Sequence, residues 1–338
     1  RLSVMHHFLR VTRVILFVLI PCYLCFLTPS LTRVKTIAAD KTGHLRDPSS
    51  VILVDGTYWF VSDYIPLSQG TPGGWHAFLH YYSAKNITGE WTDHGLLFNR
   101  TTDENAFDYA GTFSSSLIYD NGKFWVFYTG TGKNYSSTEE SAQLVASSPT
   151  MHGPWTRHGL VAYPTGKAPS WNQTWNARRL DSGRIMKIKG KRIYFTKGVS
   201  HNNDAQEGAY FPDSNITDSL LPPYKEYDNN PIFPGGSQFP VGYENCEFFK
   251  GPENNLHVVC NSHGDSKIAR PHFIADLDEF GLKWKLLDNF ETLDGALEPT
   301  PVYEDSYGSE TAQVNYMIAH AETEGLPLHI DLYKLAWV

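Results

Sequence analysis

The 338-residue chain is 41% hydrophobic and 19% charged, which supplies a large core and excludes a disordered chain. Its formal net charge of −8, with no block of Lys or Arg, argues against nucleic acid or an anionic membrane surface, since both need a basic face. A neutral substrate fits better. The 14% aromatic content, 27 Gly and 20 Pro point to many short strands joined by tight turns, an all-β protein.

At the amino end, Arg10 and Arg13 precede an apolar run from Val14 to Leu27, followed by Pro29 and Ser30. Residues 1–30 read as a secretory signal peptide. The 14-residue run is shorter than the roughly 20 residues that cross a bilayer as a helix, so an uncleaved signal anchor is the weaker reading. Residues 31–338 then form one domain of a secreted, extracellular protein. The anchor reading would make it a Golgi or cell-surface type II membrane protein.

From His44 the chain reads as a series of hairpins. In HLRDPSSVILVDGTYWFVSD (His44 to Asp63) two apolar strands flank an Asp55/Gly56 turn, a strong hairpin signal. The motif returns in SSSLIYDNGKFWVFYTG (Ser114 to Gly130), SGRIMKIKGKRIYFTKG (Ser182 to Gly198), CEFFKGPENNLHVVCNS (Cys246 to Ser262) and, with its longest turn, between Thr300 and His320. Turn-to-turn spacings are 66, 68, 64 and 56 residues. Several copies are followed by a strand, a small turn and a Trp, as in HYYSAKNITGEWTDHG (His80 to Gly95), LVASSPTMHGPWTRHG (Leu144 to Gly159) and FIADLDEFGLKWKLLD (Phe273 to Asp288). A hairpin plus a Trp-bearing hairpin every sixty residues predicts a five-bladed β-propeller, each blade a four-stranded antiparallel sheet. A β-sandwich would give no reason for that two-level period.

In a propeller the first strand of each blade runs nearest the axis, so residues just before it share the rim of one central pocket. That position holds Asp47, Asp108 (in the loop before the second copy), Asp181 and Glu244. Acids crowded from separate blades are costly unless used. Paired across a cleft they suit glycoside hydrolysis, in which one carboxyl protonates the leaving oxygen and another activates water or attacks the anomeric carbon. Glu247 lies three positions beyond Glu244 and should turn to solvent or a neighbouring blade. Asp181 has a competing role as a surface ion pair with Arg178, Arg179 or Arg184.

The stretches RDPSSVILVDGTYWF, FSSSLIYDNGKFWVFYTG, RRLDSGRIMKIKGKRIYFTKG and YENCEFFKG resemble the first four blades of the five-bladed propeller glycosidases, the superfamily of arabinanases, β-xylosidases, levansucrases and invertases (families 43, 32, 68, 62 and 117). The resemblance runs from Asp47 to Val338 in pattern rather than in close identity. It implies a glycoside hydrolase in which Asp47 is base or nucleophile, Glu244 the general acid and Asp181 the third acid that tunes Glu244 and holds the sugar. The broader likeness to family 43 implies inversion. The Asn-Asp-Pro-Asn-Gly run of invertases is absent, since Arg46 and Ser49 flank Asp47-Pro48. A retaining, invertase-like fructosidase and a propeller that binds carbohydrate without turnover are the alternatives.

Arg46, Trp75, Asp108, His201 and His263 are the candidate substrate-binding residues. The partner expected is an oligo- or polysaccharide, bound by a monomer. No cofactor is required and no metal-ligand spacing stands out; a structural Ca2+ near the axis is compatible with the fold but not indicated. Cys246 and Cys260 flank a turn centred on Glu253, so an antiparallel hairpin sets them opposite one another as a structural disulfide. In a secreted chain, Asn86, Asn99, Asn134, Asn172 and Asn215 are N-glycosylation acceptors by their Asn-x-Ser/Thr sequence.

Overall fold

The computed structural model describes residues 29–338 except segments 70–76, 134–140, 165–178, 200–204, 213–218, 233–242, 253, 263–269, 277–282, 291–295, 305–313, 324 and 338. The described chain is all-β, with one 3-10 turn at Leu67–Gln69 and no helix long and apolar enough to cross a membrane. The leader 1–28, Trp75, His201, His263, Asn134, Asn172 and Asn215 lie outside the described residues, so those expectations are not addressed. Asn86 and Asn99 are exposed.

The order is β1 (Pro29–Ala38), β2 (Gly43–Arg46), β3 (Val51–Val54), β4 (Thr57–Pro66), β5 (Phe78–Ala84) and β6 (Thr92–Leu96). Then follow β7 (Gly111–Asp120), β8 (Lys123–Thr131), β9 (Ser141–Ser148), β10 (Thr156–Ala162), β11 (Arg179–Ile188), β12 (Lys191–Val199), β13 (Ala205–Pro212) and β14 (Tyr224–Glu226). Last come β15 (Tyr243–Lys250), β16 (Leu256–Ser262), β17 (Arg270–Asp276), β18 (Lys283–Phe290), β19 (Ala296–Tyr303), β20 (Val314–Ala321) and β21 (His329–Trp337). Strands β7–β10, β11–β14 and β15–β18 make three four-stranded sheets. The rest form one nine-stranded sheet in which β1-β21-β20-β19 joins β3-β4-β5-β6, with β2 on β4. The join is slight: β19 and β3 share two parallel pairs, Val302 with Val51 and Tyr303 with Ile52. Strand β1 begins at Pro29, inside the segment expected to be a leader, and pairs with β21 along its length.

The hairpins form where turn chemistry demands them. Asp55-Gly56, Asn121-Gly122 and Lys189-Gly190 all have positive φ at both positions, the two-residue turn whose twist matches that of the flanking strands. The disulfide Cys246–Cys260 crosses the β15–β16 hairpin with its Cα atoms 4.1 Å apart.

Hydrophobic side chains pack between sheets rather than within one. Ile118, Phe127 and Val145 meet Leu180, Ile185 and Tyr194. Met186 and Phe195 meet Cys246, Phe248 and Val258. Ile52, Val61 and Leu79 meet Leu117, Val126 and Leu144. Each sheet is therefore buried on two faces by its neighbours, which is how a propeller stabilises blades that could not stand alone. Ser50 just before β3, Ser116 of β7, Arg184 of β11, Glu247 of β15 and Tyr303 of β19 line a single cavity, so these strands meet at one place.

Candidate active site

One backbone feature repeats at the mouth of every inner strand. Asp47, Ser114, Ser182, Asn245 and Glu298 all have φ between 42° and 58°, the left-handed region that L-residues rarely occupy. In β7, β11, β15 and β19 the residue sits in a register shift of the inner ladder. Such a bulge re-aims the side chains beside it. The acids sit at or beside these residues: Asp47 and Glu298 are themselves left-handed, and Asp181 and Glu244 immediately precede Ser182 and Asn245.

The first group surrounds Asp47. Ser114 Oγ donates to its Oδ2 at 3.1 Å, Arg46 lies 3.6 Å from its Oδ1, and His320 Nδ1 lies 3.9 Å from the same atom. Glu298 stands on the other side, its Oε2 3.5 Å from His320 Nδ1. Burial would push Asp47 upward, but Arg46, a hydrogen bond with Glu298, His320 and Ser114 hold it well below the usual carboxylate range. Glu298 goes the opposite way: burial and then the Asp47 charge raise it well above its ordinary value. The two shifts run in opposite directions, Asp47 toward the carboxylate and Glu298 toward the protonated acid. Asp63, which accepts Ser114 N–H at 2.8 Å, is also raised, by burial first and by Asp47 second. The ligand atoms of Asp47, Glu298 and His320 lie within 4.8 Å of one another, close enough to bracket a cation.

The second group joins two sheets. Lys197 Nζ, on β12, lies 2.7 Å from Asp181 Oδ1 and 2.8 Å from Glu244 Oε2. Arg179 adds a contact of 3.4 Å to Asp181 Oδ2, so the ion pair expected for Asp181 exists, but buried rather than on the surface. Asp181 and Lys197 side chains are each 5% exposed, while that of Glu244 is 19% exposed and opens toward solvent. The two groups adjoin: the charges of Arg46 and of Glu298 are both felt at Glu244. Asp47, Asp181 and Glu244 thus converge from three inner strands on one mouth.

Below the mouth, Glu247 accepts from Arg184 Nε and, at 3.4 Å, from Thr300 Oγ1. It faces the neighbouring sheet and the axis, not solvent, because the bulge between Glu244 and Glu247 breaks the simple alternation. Burial pushes its carboxyl up to about 7. Asp108 Oδ2 accepts from Arg157 Nε at 2.7 Å and from Tyr128 Oη at 3.0 Å, tying the loop before β7 to β8 and β10.

Glu298, Lys197, Ser114 and His320 were not singled out by the sequence reading. A signal for Glu298 was present: Glu298-Pro299 within β19 repeats the Asp47-Pro48 that precedes β3. Lys197 had none, since it enters from the second strand of its sheet.

Residues 38–178 match the family model for the glycosyl hydrolases family 32 N-terminal domain, less than half of the chain. No curated protein matches the sequence. The fold is similar to that of Zg3597, a family 117 glycoside hydrolase from the marine bacterium Zobellia galactanivorans, with a TM-score of 0.69 at 15% identity, covering 92% of this chain and 90% of that one. It is also similar to an α-L-arabinofuranosidase from Lactobacillus brevis (TM-score 0.63, 10% identity, 89% and 94% covered). A third similar structure is a sucrose-6-phosphate hydrolase from Lactobacillus gasseri (0.63, 14%, 90% and 61%). Acids thus converge on one axial mouth within a fold similar to that of these glycoside hydrolases.

Proposed function

We propose that the protein is a secreted, monomeric glycoside hydrolase with five four-stranded blades, cleaving a neutral glycan. Asp47 is the base, Glu244 the acid and Asp181 the residue that holds Glu244 and the sugar. What carries this reading is the convergence of Asp47, Asp181 and Glu244 at one mouth, with Asp47 kept ionised by Arg46, Glu298 and Ser114. A base held as its carboxylate can take a proton from water as that water attacks the anomeric carbon, while Glu244, the most exposed of the three, protonates the leaving oxygen. Inversion follows from this pairing. The cations Arg46, Arg179 and Lys197 are each matched by an acid at the mouth, leaving no excess charge for an anionic sugar.

The test is a panel of aryl furanosides and pyranosides with wild type, Asp47→Asn and Glu244→Gln. Both variants should remain folded and lose turnover by about 10² or more; full activity in Glu244→Gln removes the assignment. Two observations favour other readings. The family 32 match over residues 38–178 favours a retaining fructosidase, and the first-formed product anomer separates it from inversion. The Lys197 ammonium against Glu244 favours a carbohydrate-binding protein without turnover, for which the panel would show binding and no product.

A further inference from the structure

Lys197 is opposite Asp181 across β11–β12 and opposite Glu207 across β12–β13. Its ammonium is the only atom among the described residues seen to touch Asp181 and Glu244 together, at 2.7 and 2.8 Å, and it is almost fully enclosed. The groups facing it come from each packed element: Asp181 and Arg179 on β11, Glu207 on β13 and Glu244 on β15. Arg46 and Glu298 act on Glu244 from the far side of the mouth. An ammonium at hydrogen-bond distance favours the ionised form of a carboxyl group. A general acid has to carry a proton, so the residue assigned that role is held, in the ligand-free protein, in the form that cannot act.

We propose that Lys197 is a positioning residue of the reaction, which fixes Glu244 beside Asp181 as an ion pair and restricts turnover to the acid side of neutrality. The inference rests on the reading of Glu244 as the acid. At low pH Glu244 takes a proton from solvent while the ammonium stays on Asp181. As the glycosidic C–O bond breaks, that proton passes to the leaving oxygen, and the attacking water gives its own proton to Asp47. Glu244 returns to the ammonium as a carboxylate. Burial works against the charge on Lys197, yet Asp181 and Glu244 hold it well above the ordinary lysine range, so the ammonium does not itself supply the proton.

The experiment is the pH profile of kcat/KM for wild type, Lys197→Met and Lys197→Arg on the best substrate of the panel. Activity falls as pH rises through the ionisation of the acid in the free enzyme. In wild type that alkaline limb should lie on the acid side of neutrality. In Lys197→Met it should move up by about one pH unit or more, since the cation is gone, while Lys197→Arg keeps the wild-type limb whatever its rate. A merely structural lysine would lower the rate equally at every pH. An unmoved limb in Lys197→Met overturns the proposal. If that variant does not fold, a wild-type alkaline limb above about pH 6.5 overturns it too. Glu244→Gln separates the two levels. Retained activity there, or no turnover of any substrate by wild type, defeats the catalytic reading and this inference with it. An inactive Glu244→Gln with an unmoved limb in Lys197→Met defeats the inference alone.

Discussion

Replacing Glu247 by Gln should stabilise the protein at pH 8 and leave it nearly unchanged at pH 5. Glu247 and Arg184 side chains are 2% and 4% exposed, and Arg184 also donates to the Ser115 and Gly183 carbonyls at 3.2 and 3.0 Å. The two partners respond differently to their contact. Arg184 is raised by Glu247 in spite of its burial, whereas burial at Glu247 outweighs Arg184 and lifts the carboxyl from 4.5 to about 7. A carboxyl raised on folding contributes stability that is present below about pH 4.5 and is lost as pH climbs through about 7, because the unfolded chain has already released its proton. The shift corresponds to about 3 kcal/mol. Gln keeps the shape and an acceptor oxygen for Arg184 without titrating, so the variant should gain on wild type by up to about 3 kcal/mol between the two pH values. Urea unfolding at pH 5 and pH 8, with the disulfide intact, reads the difference directly. Loss of the ion pair as the dominant effect would instead cost about 3–5 kcal/mol at pH 8. That opposite sign refutes the reasoning.

Gly183→Ala should destabilise by about 3 kcal/mol in the same assay, because a Cβ there would collide with the Tyr194 hydroxyl and ring and approach Gln143 Oε1 to 2.7 Å. Lys189→Asn should add about 0.5 kcal/mol to unfolding stability, since Lys189 holds φ 48° in its turn and Asn tolerates that region better. Arg157→Met should cost about 2 kcal/mol, as Asp108, nearly enclosed, keeps only Tyr128; an unchanged urea midpoint would remove Asp108's role as a strut.

The hairpins were legible because their turns obey a local rule: Asp55-Gly56, Asn121-Gly122 and Lys189-Gly190 can be recognised without knowing what packs where. The acids Asp47, Asp181 and Glu244 were legible for a related reason, since they stand eight, eight and nine residues before the turn residues Asp55, Lys189 and Glu253. Glu298 stands farther from its turn, and the fifth hairpin was taken to start at Thr300, two residues too late to include it. Glu247 was placed by strict strand alternation, which a bulge interrupts. Lys197 and Asp108 show the boundary more sharply. What each does depends on which side chain arrives from another strand or sheet, and pairings at separations of 47 and 49 residues leave no period in the sequence.

Among the described strands, the last in chain order is the one the first waits for. All eight register pairs of β1 are with β21, and Asp331 in β21 takes Arg33 at 2.5 Å and Thr36 at 2.7 Å from β1. Until that strand leaves the exit tunnel, β1 has an unpaired edge and the sheet carrying Glu298 lacks its outermost members. A frameshift within the codons for β21 would therefore damage the sheet at β1 as much as at β20. A segment joined directly to either of these two strands without a flexible spacer would strain the same seam.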